Sequence, residues 1–137
     1  MFKKGLLSVV AVYVVWTALD YVIHQLILGT AYMNTAQLWR DPAEMKMGLM
    51  QVVTILSAIA FVAIYVRLIG NKSLCKALEY GCWFGFGAGV SMGYGFFAVS
   101  PIPYFMAFTW FIGTLVQGLA AGLVTGLIAK EPKAAAA

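Results

Sequence analysis

Asp20 and His24 stand one helical turn apart inside a run that is otherwise apolar from Gly5 to Leu28. At i, i+4 the two side chains share a face, close enough for a carboxylate to hold an imidazole. A carboxylate at bilayer depth costs about 2.5–3.5 kcal/mol on insertion scales, so it asks for a partner or a task. Tyr13 and Thr17 extend the pair into a stripe, Tyr13, Thr17, Asp20 and His24, at spacings of 4, 3 and 4. Hydrocarbon cannot satisfy such a stripe, which is therefore expected to face a bundle interior. Gln51 and Thr54 lie at matching depth in the next apolar run and are its expected partners. Two chemistries fit: a binding or proton-handling site, or a hydrogen-bond network that sets helix register.

The methionines are unevenly placed. Met45, Met47 and Met50 fall together at the start of the second apolar run, near the depth of His24. Thioether and imidazole ligands suit Cu(I), so His24, Met45, Met47 and Met50 form a candidate copper set. Methionine is also a flexible packing residue, which is the plainer account. Because His24 is the only histidine, a haem would need methionine as its other ligand. Cys75 and Cys82 are about 10 Å apart along a helix, too far for a disulfide. No nucleophile elbow, phosphate loop, HExxH or CxxC occurs, so an enzyme is not expected.

Composition says what must position these residues. The chain has 137 residues, 63% of them hydrophobic and only 10% charged. A water-soluble domain would carry about 25% charged residues. The net charge of +4 is scattered over segment ends, with no basic stripe interleaved with aromatics. Nucleic acid is therefore not an expected partner, and the lipid bilayer is.

Four apolar runs exceed the roughly 20 helical residues that a hydrocarbon core requires. They cover about residues 5–28, 42–69, 74–99 and 104–129, within a single domain over 1–130. Gly29 reads as the stop of the first. Asp41-Pro42-Ala43-Glu44 reads as cap, first-turn proline and capping-box acid of the second, which ends at Gly70-Asn71. Ser100-Pro101-Ile102-Pro103 must break the chain between the third and fourth. Residues 30–40, with Tyr32, Trp39 and Arg40, read as an interfacial segment at the headgroups. Residues 131–137 read as a disordered tail. The first run follows Lys3-Lys4 as a signal peptide would, but its length, Asp20 and the lack of a small-x-small site favour a mature helix.

Orientation follows from the basic residues. With the N-terminus inside, Lys3, Lys4, Arg67, Lys72, Lys76, Lys130 and Lys133 are cytoplasmic, against Arg40 and Lys46 outside. This asymmetry predicts an N-in, C-in topology, with Asp20 and His24 in the outer half of their helix. The third run carries Gly81, Gly85, Gly89 and Gly93 in one four-residue register, and the fourth carries Gly118, Gly122 and Gly126. Such ridges let two backbones approach closely, either within the chain or against another subunit. Gly87 and Gly95 leave the third run bare enough to bend.

Three stretches carry a resemblance: Leu19-Asp20-Tyr21-Val22-Ile23-His24-Gln25, the run from Tyr32-Met33 to Leu38-Trp39-Arg40, and Pro101-Ile102-Pro103-Tyr104. In layout the chain resembles a family of small four-helix bacterial membrane proteins without assigned activity. That resemblance implies an architecture and no chemistry. The expectation is an all-α integral membrane four-helix bundle of a bacterial inner (plasma) membrane. It is expected to be a non-enzymatic homo-oligomer or a subunit of a larger membrane complex. Alternatives are a small transporter or ion-coupled carrier using Asp20 and His24, and an outer-facing copper-handling protein.

Overall fold

The computed structural model describes residues 2–70 and 72–129. Asn71, Lys130, Lys133 and the expected tail over 131–137 lie outside the described residues. Four helices are long and apolar enough to cross a membrane: α1 (Phe2–Ile27), α3 (Met47–Leu68), α4 (Leu74–Val99) and α5 (Tyr104–Ala129). A short helix α2 (Gly29–Asn34) and two 3-10 turns, Ala36–Leu38 and Pro42–Glu44, connect α1 to α3. Among the described residues no strand occurs. Leu6, Val10, Val14, Ile55, Leu56, Leu119, Leu123 and Leu127 all point out of the bundle. Such an exterior suits hydrocarbon rather than water.

The backbone corrects two of the expected punctuation marks. Gly29 does not stop the first helix. Leu28, fully buried and near-helical at φ −96° and ψ −3°, hands the chain from α1 straight into α2. Burial of the Leu28 side chain, rather than a left-handed glycine, makes this joint. Asp41 does cap as its sequence predicts, its Oδ1 accepting from the Ala43 N–H at 2.9 Å. It caps only one 3-10 turn, however, because Met45 turns extended at ψ 128° and interrupts the ladder. The long helix therefore begins at Met47, not at residue 42. Ser73 caps α4, accepting from the Lys76 N–H at 3.2 Å.

Helix α5 is the hub, packed on α4 along its length and on α1 on another side. The α4–α5 seam is glycine against glycine. A Cβ on Gly85 would lie 2.9 Å from the Thr114 carbonyl oxygen, and one on Gly118 would lie 2.7 Å from the Gly85 Cα. With no side chains between them the backbones pack directly, giving the dispersion contacts that association in lipid depends on. Helix α3 leans mainly on α1. It meets α4 through rings, with Phe61 against Tyr80 and Phe84 at centroid distances of 4.6 and 5.0 Å. These rings join Val12, Trp16, Ala58 and Val62 in one core cluster. A second cluster, built on Ile23, Leu28, Ile102, Met106 and Trp110, closes the end of the bundle that carries α2.

Candidate functional site

Both long breaks in regular α-helix lie toward the α2 end. Helix α1 widens to a π-helix over Tyr21–Ile27, and α4 does so over Val90–Gly95. The wide turn is continued by a bond from the Leu28 N–H to the Ile23 carbonyl at 3.0 Å. Wide turns of this kind inside α-helices recur at functional sites, because they re-aim side chains that a regular helix would stack. Here the first begins directly after Asp20 and contains His24, and the second contains Met92.

The wide turn separates the pair that the spacing predicts to be joined. His24 Nε2 lies 4.0 Å from Asp20 Oδ1, beyond hydrogen-bond range. Each group has another partner. Gln117 Nε2 of α5 donates to Asp20 Oδ1 at 2.7 Å. Tyr32 of α2 meets His24 Nδ1 through its hydroxyl at 2.7 Å. The same hydroxyl accepts from Trp110 Nε1 at 3.0 Å. Since Trp110 can only donate, the tyrosine proton is free to go to His24 Nδ1. This satisfies every atom if the imidazole is neutral and carries its proton on Nε2, facing Asp20. Burial pushes the Tyr32 phenol above its ordinary value of 10.0, while the Trp110 hydrogen bond pulls the other way, so the hydroxyl keeps its proton at neutral pH.

These residues wall a cavity of about 560 Å³ bounded by α1, α2, α3 and α5, with Met92 reaching in from α4. The side chains of His24 and Asp20 remain 39% and 41% exposed, so both are open to whatever enters. A second cavity, about 760 Å³, lies beneath the connecting segment and is lined by Met33, Met45, Arg40 and Asp41. His24, Gln25, Tyr32 and Trp39 line both and form the wall between them. The inner cavity also reaches the side of the bundle, where Met47, Met50 and Met92 are each more than half exposed.

Gln51 and Thr54 line the inner cavity but do not bond Asp20. Gln51 Oε1 accepts from Tyr13 at 2.7 Å, tying α3 to α1. Thr54 Oγ1 donates back to the Met50 carbonyl of its own helix at 3.0 Å. Thr17 Oγ1, also on the wall, has no hydrogen-bond partner. The candidate copper set is divided: Met47 and Met50 share the inner cavity with His24, whereas Met45 lines the second. Met92 takes its place at the inner wall. Among the described residues no three His, Cys, Asp or Glu side chains converge as a metal site.

Sequence reasoning missed Tyr32, Trp110 and Met92. Tyr32 reads as an interfacial anchor because nothing in its neighbours shows that α2 folds back over the bundle. Gln117 carried a fainter signal, as the one primary amide on an apolar helix. No protein-family model, curated protein or solved structure matches this chain.

Proposed function

We propose that this chain is a non-enzymatic multi-pass protein of a bacterial inner membrane, with both termini in the cytoplasm, that binds a small ligand in its inner cavity. One observation carries this reading: two ionisable side chains, each with a hydrogen-bond partner, stand open in a cavity of ligand size between long apolar helices. Ligand sites are typically concave, of about 300–1,000 Å³, and mostly apolar with a few convergent polar groups. A network that served only to fix helix register would have no reason to surround so large a space. The α4 and α5 glycines pack on each other within the chain, so they give no support to a self-assembling role.

Native mass spectrometry of the protein from mild detergent tests the reading. Wild type is expected to carry a small-molecule adduct that Thr54→Trp loses, because an indole on the cavity wall fills the space without breaking the Asp20 or His24 bonds. Identical adduct patterns in the two proteins would refute a ligand cavity. For topology, a reporter inserted near Ala36 is expected to read external and one fused after Ala137 cytoplasmic, from the Lys and Arg asymmetry.

The clustering of Met47, Met50 and Met92 with His24 around one cavity favours a second reading, Cu(I) handling. It requires copper near one per chain that is lost when the three methionines are replaced by leucine. Copper that survives those replacements would exclude thioether ligation.

A further inference from the structure

We infer that the ligand of the inner cavity is an amphiphilic monocation, an ammonium or similar head on an apolar body. The inference rests on the ligand-binding reading above and names the class of ligand. Its basis is the charge inventory of the wall. Among the described residues, Asp20 is the one acidic side chain lining the cavity, and no Lys or Arg lines it. His24 does not offset it when its imidazole is neutral, the form in which Nδ1 accepts the Tyr32 hydroxyl proton. In the second cavity Arg40 and Asp41 offset each other. The inner cavity therefore carries one uncompensated negative charge.

The carboxylate is half-satisfied. Oδ1 takes the Gln117 amide at 2.7 Å, and Oδ2 has no donor among the described residues. A carboxylate at this depth is costly unless something cationic meets it. A hard metal cation is a poor match, since such ions require about six converging oxygens. Besides neutral polar groups such as Gln25, Gln51 and Thr114, the wall presents an apolar, polarisable face: Ile23, Met47, Met50, Met92 and the indole of Trp110. Such a wall suits an alkyl or aryl body lying against thioethers while its cationic head faces Oδ2. Met47, Met50 and Met92 are each more than half exposed at the side of this wall, where such a molecule can enter from the bilayer.

Calorimetric titration of the purified full chain in mild detergent decides the matter. Three probes of closely similar shape are used: benzyltrimethylammonium, its neutral carbon isostere neopentylbenzene, and the anion phenylmethanesulfonate. Thr54→Trp in the same detergent serves as the filled-cavity control. The cation is expected to bind wild type at least tenfold more tightly than the neutral isostere, and Asp20→Asn is expected to erase that preference. Asparagine can still accept from Gln117, so the variant is expected to melt with wild type, and Asp20→Glu should restore the cation preference if the charge is what matters. Equal binding of cation and isostere, or a preference that survives Asp20→Asn, would overturn the inference. Binding of the isostere or the anion alone, sensitive to Thr54→Trp, would overturn it while leaving the cavity reading standing. Absence of any difference between wild type and Thr54→Trp for all three probes would remove both.

Discussion

The α4–α5 seam and the α2-end cavity share one helix, α5, and are built on opposite principles. Along the seam, α4 and α5 meet backbone to backbone through Gly81, Gly85, Gly89, Gly118 and Gly122, and no polar side chain intervenes. On another face of α5, the side chains of Trp110, Thr114 and Gln117 line a space that the neighbouring helices leave open. The seam excludes everything, and the cavity is held open by two π-helical turns and by α3 leaning away toward α1. In a membrane, where burial of apolar surface gives helices no reason to associate, the tight seam supplies the packing that lets the other side stay unfilled. Stability and function are thus separable here, and substitutions should sort by region.

The largest effect is expected at the seam. A Cβ on Gly118 would already sit 2.7 Å from the Gly85 Cα and 2.8 Å from its nitrogen, and backbone cannot step aside as a side chain can. Gly118→Leu is expected to cost about 3 kcal/mol or more, the top of the overpacking range, because α4 and α5 must separate. Gly87 of α4 has nothing within 4 Å of its would-be Cβ, so Gly87→Leu on the partner helix is expected to melt like wild type. Thermal unfolding in detergent compares the two directly. Matching midpoints would mean that the seam does not hold the bundle together.

The two regions also differ in how far the sequence reveals them. The seam is legible because its signal is local and periodic: glycines every fourth residue on two helices state a geometry without reference to the rest of the chain. Apolar length likewise reveals the four long helices. The cavity is legible only in part. Asp20 and His24 announce themselves by being ionisable in apolar surroundings. Their partners do not, since Gln117 lies 97 residues from Asp20 and Tyr32 reaches His24 only through the fold-back of α2. The π-helical turns leave no periodic trace, and they are why the i, i+4 rule joins a pair that the backbone holds 4.0 Å apart. Gly113 shows the limit of the periodic signal: it lies off both registers yet is buried, its would-be Cβ 2.8 Å from the Ile23 side chain.

Within the cavity the next effect belongs to Tyr32. Tyr32→Phe removes the hydroxyl that serves both His24 Nδ1 and Trp110 Nε1. Water can replace it at His24, which is open, but not easily at Trp110, which is 8% exposed. The unpaired indole N–H sets the expected cost at about 1–3 kcal/mol, smaller than that of Gly118→Leu. Alkaline pH gives a second readout. The folded phenol ionises above its ordinary value of 10.0, so its contribution is whole below that pH and is lost as pH rises through the higher folded value. Wild type should therefore lose stability more steeply than Tyr32→Phe as pH rises above 10.0. Parallel slopes would mean that the hydroxyl is solvated rather than held.

The smallest change in stability is expected where the two regions touch. Gly113 lies on α5 toward the α2 end, and its would-be Cβ meets the Ile23 Cδ1 at 2.8 Å and Cγ1 at 3.2 Å. Unlike the glycines of the seam, it faces the tip of a side chain, which can rotate away. Gly113→Ala is therefore expected to shift stability by less than about 1 kcal/mol, with better helix propensity offsetting the displaced isoleucine. Ile23, however, sits in the π-helical turn beside His24, and it lines the same cavity. Moving its side chain should narrow the cavity and re-aim the turn while the seam stays intact. Binding of benzyltrimethylammonium is thus expected to weaken severalfold in a protein that melts with wild type. If Gly113→Ala instead lowers the melting point as much as a seam substitution does, the packing of α1 on α5 belongs to the rigid half of the molecule. The cavity would then share the seam's stability rather than being sustained by it.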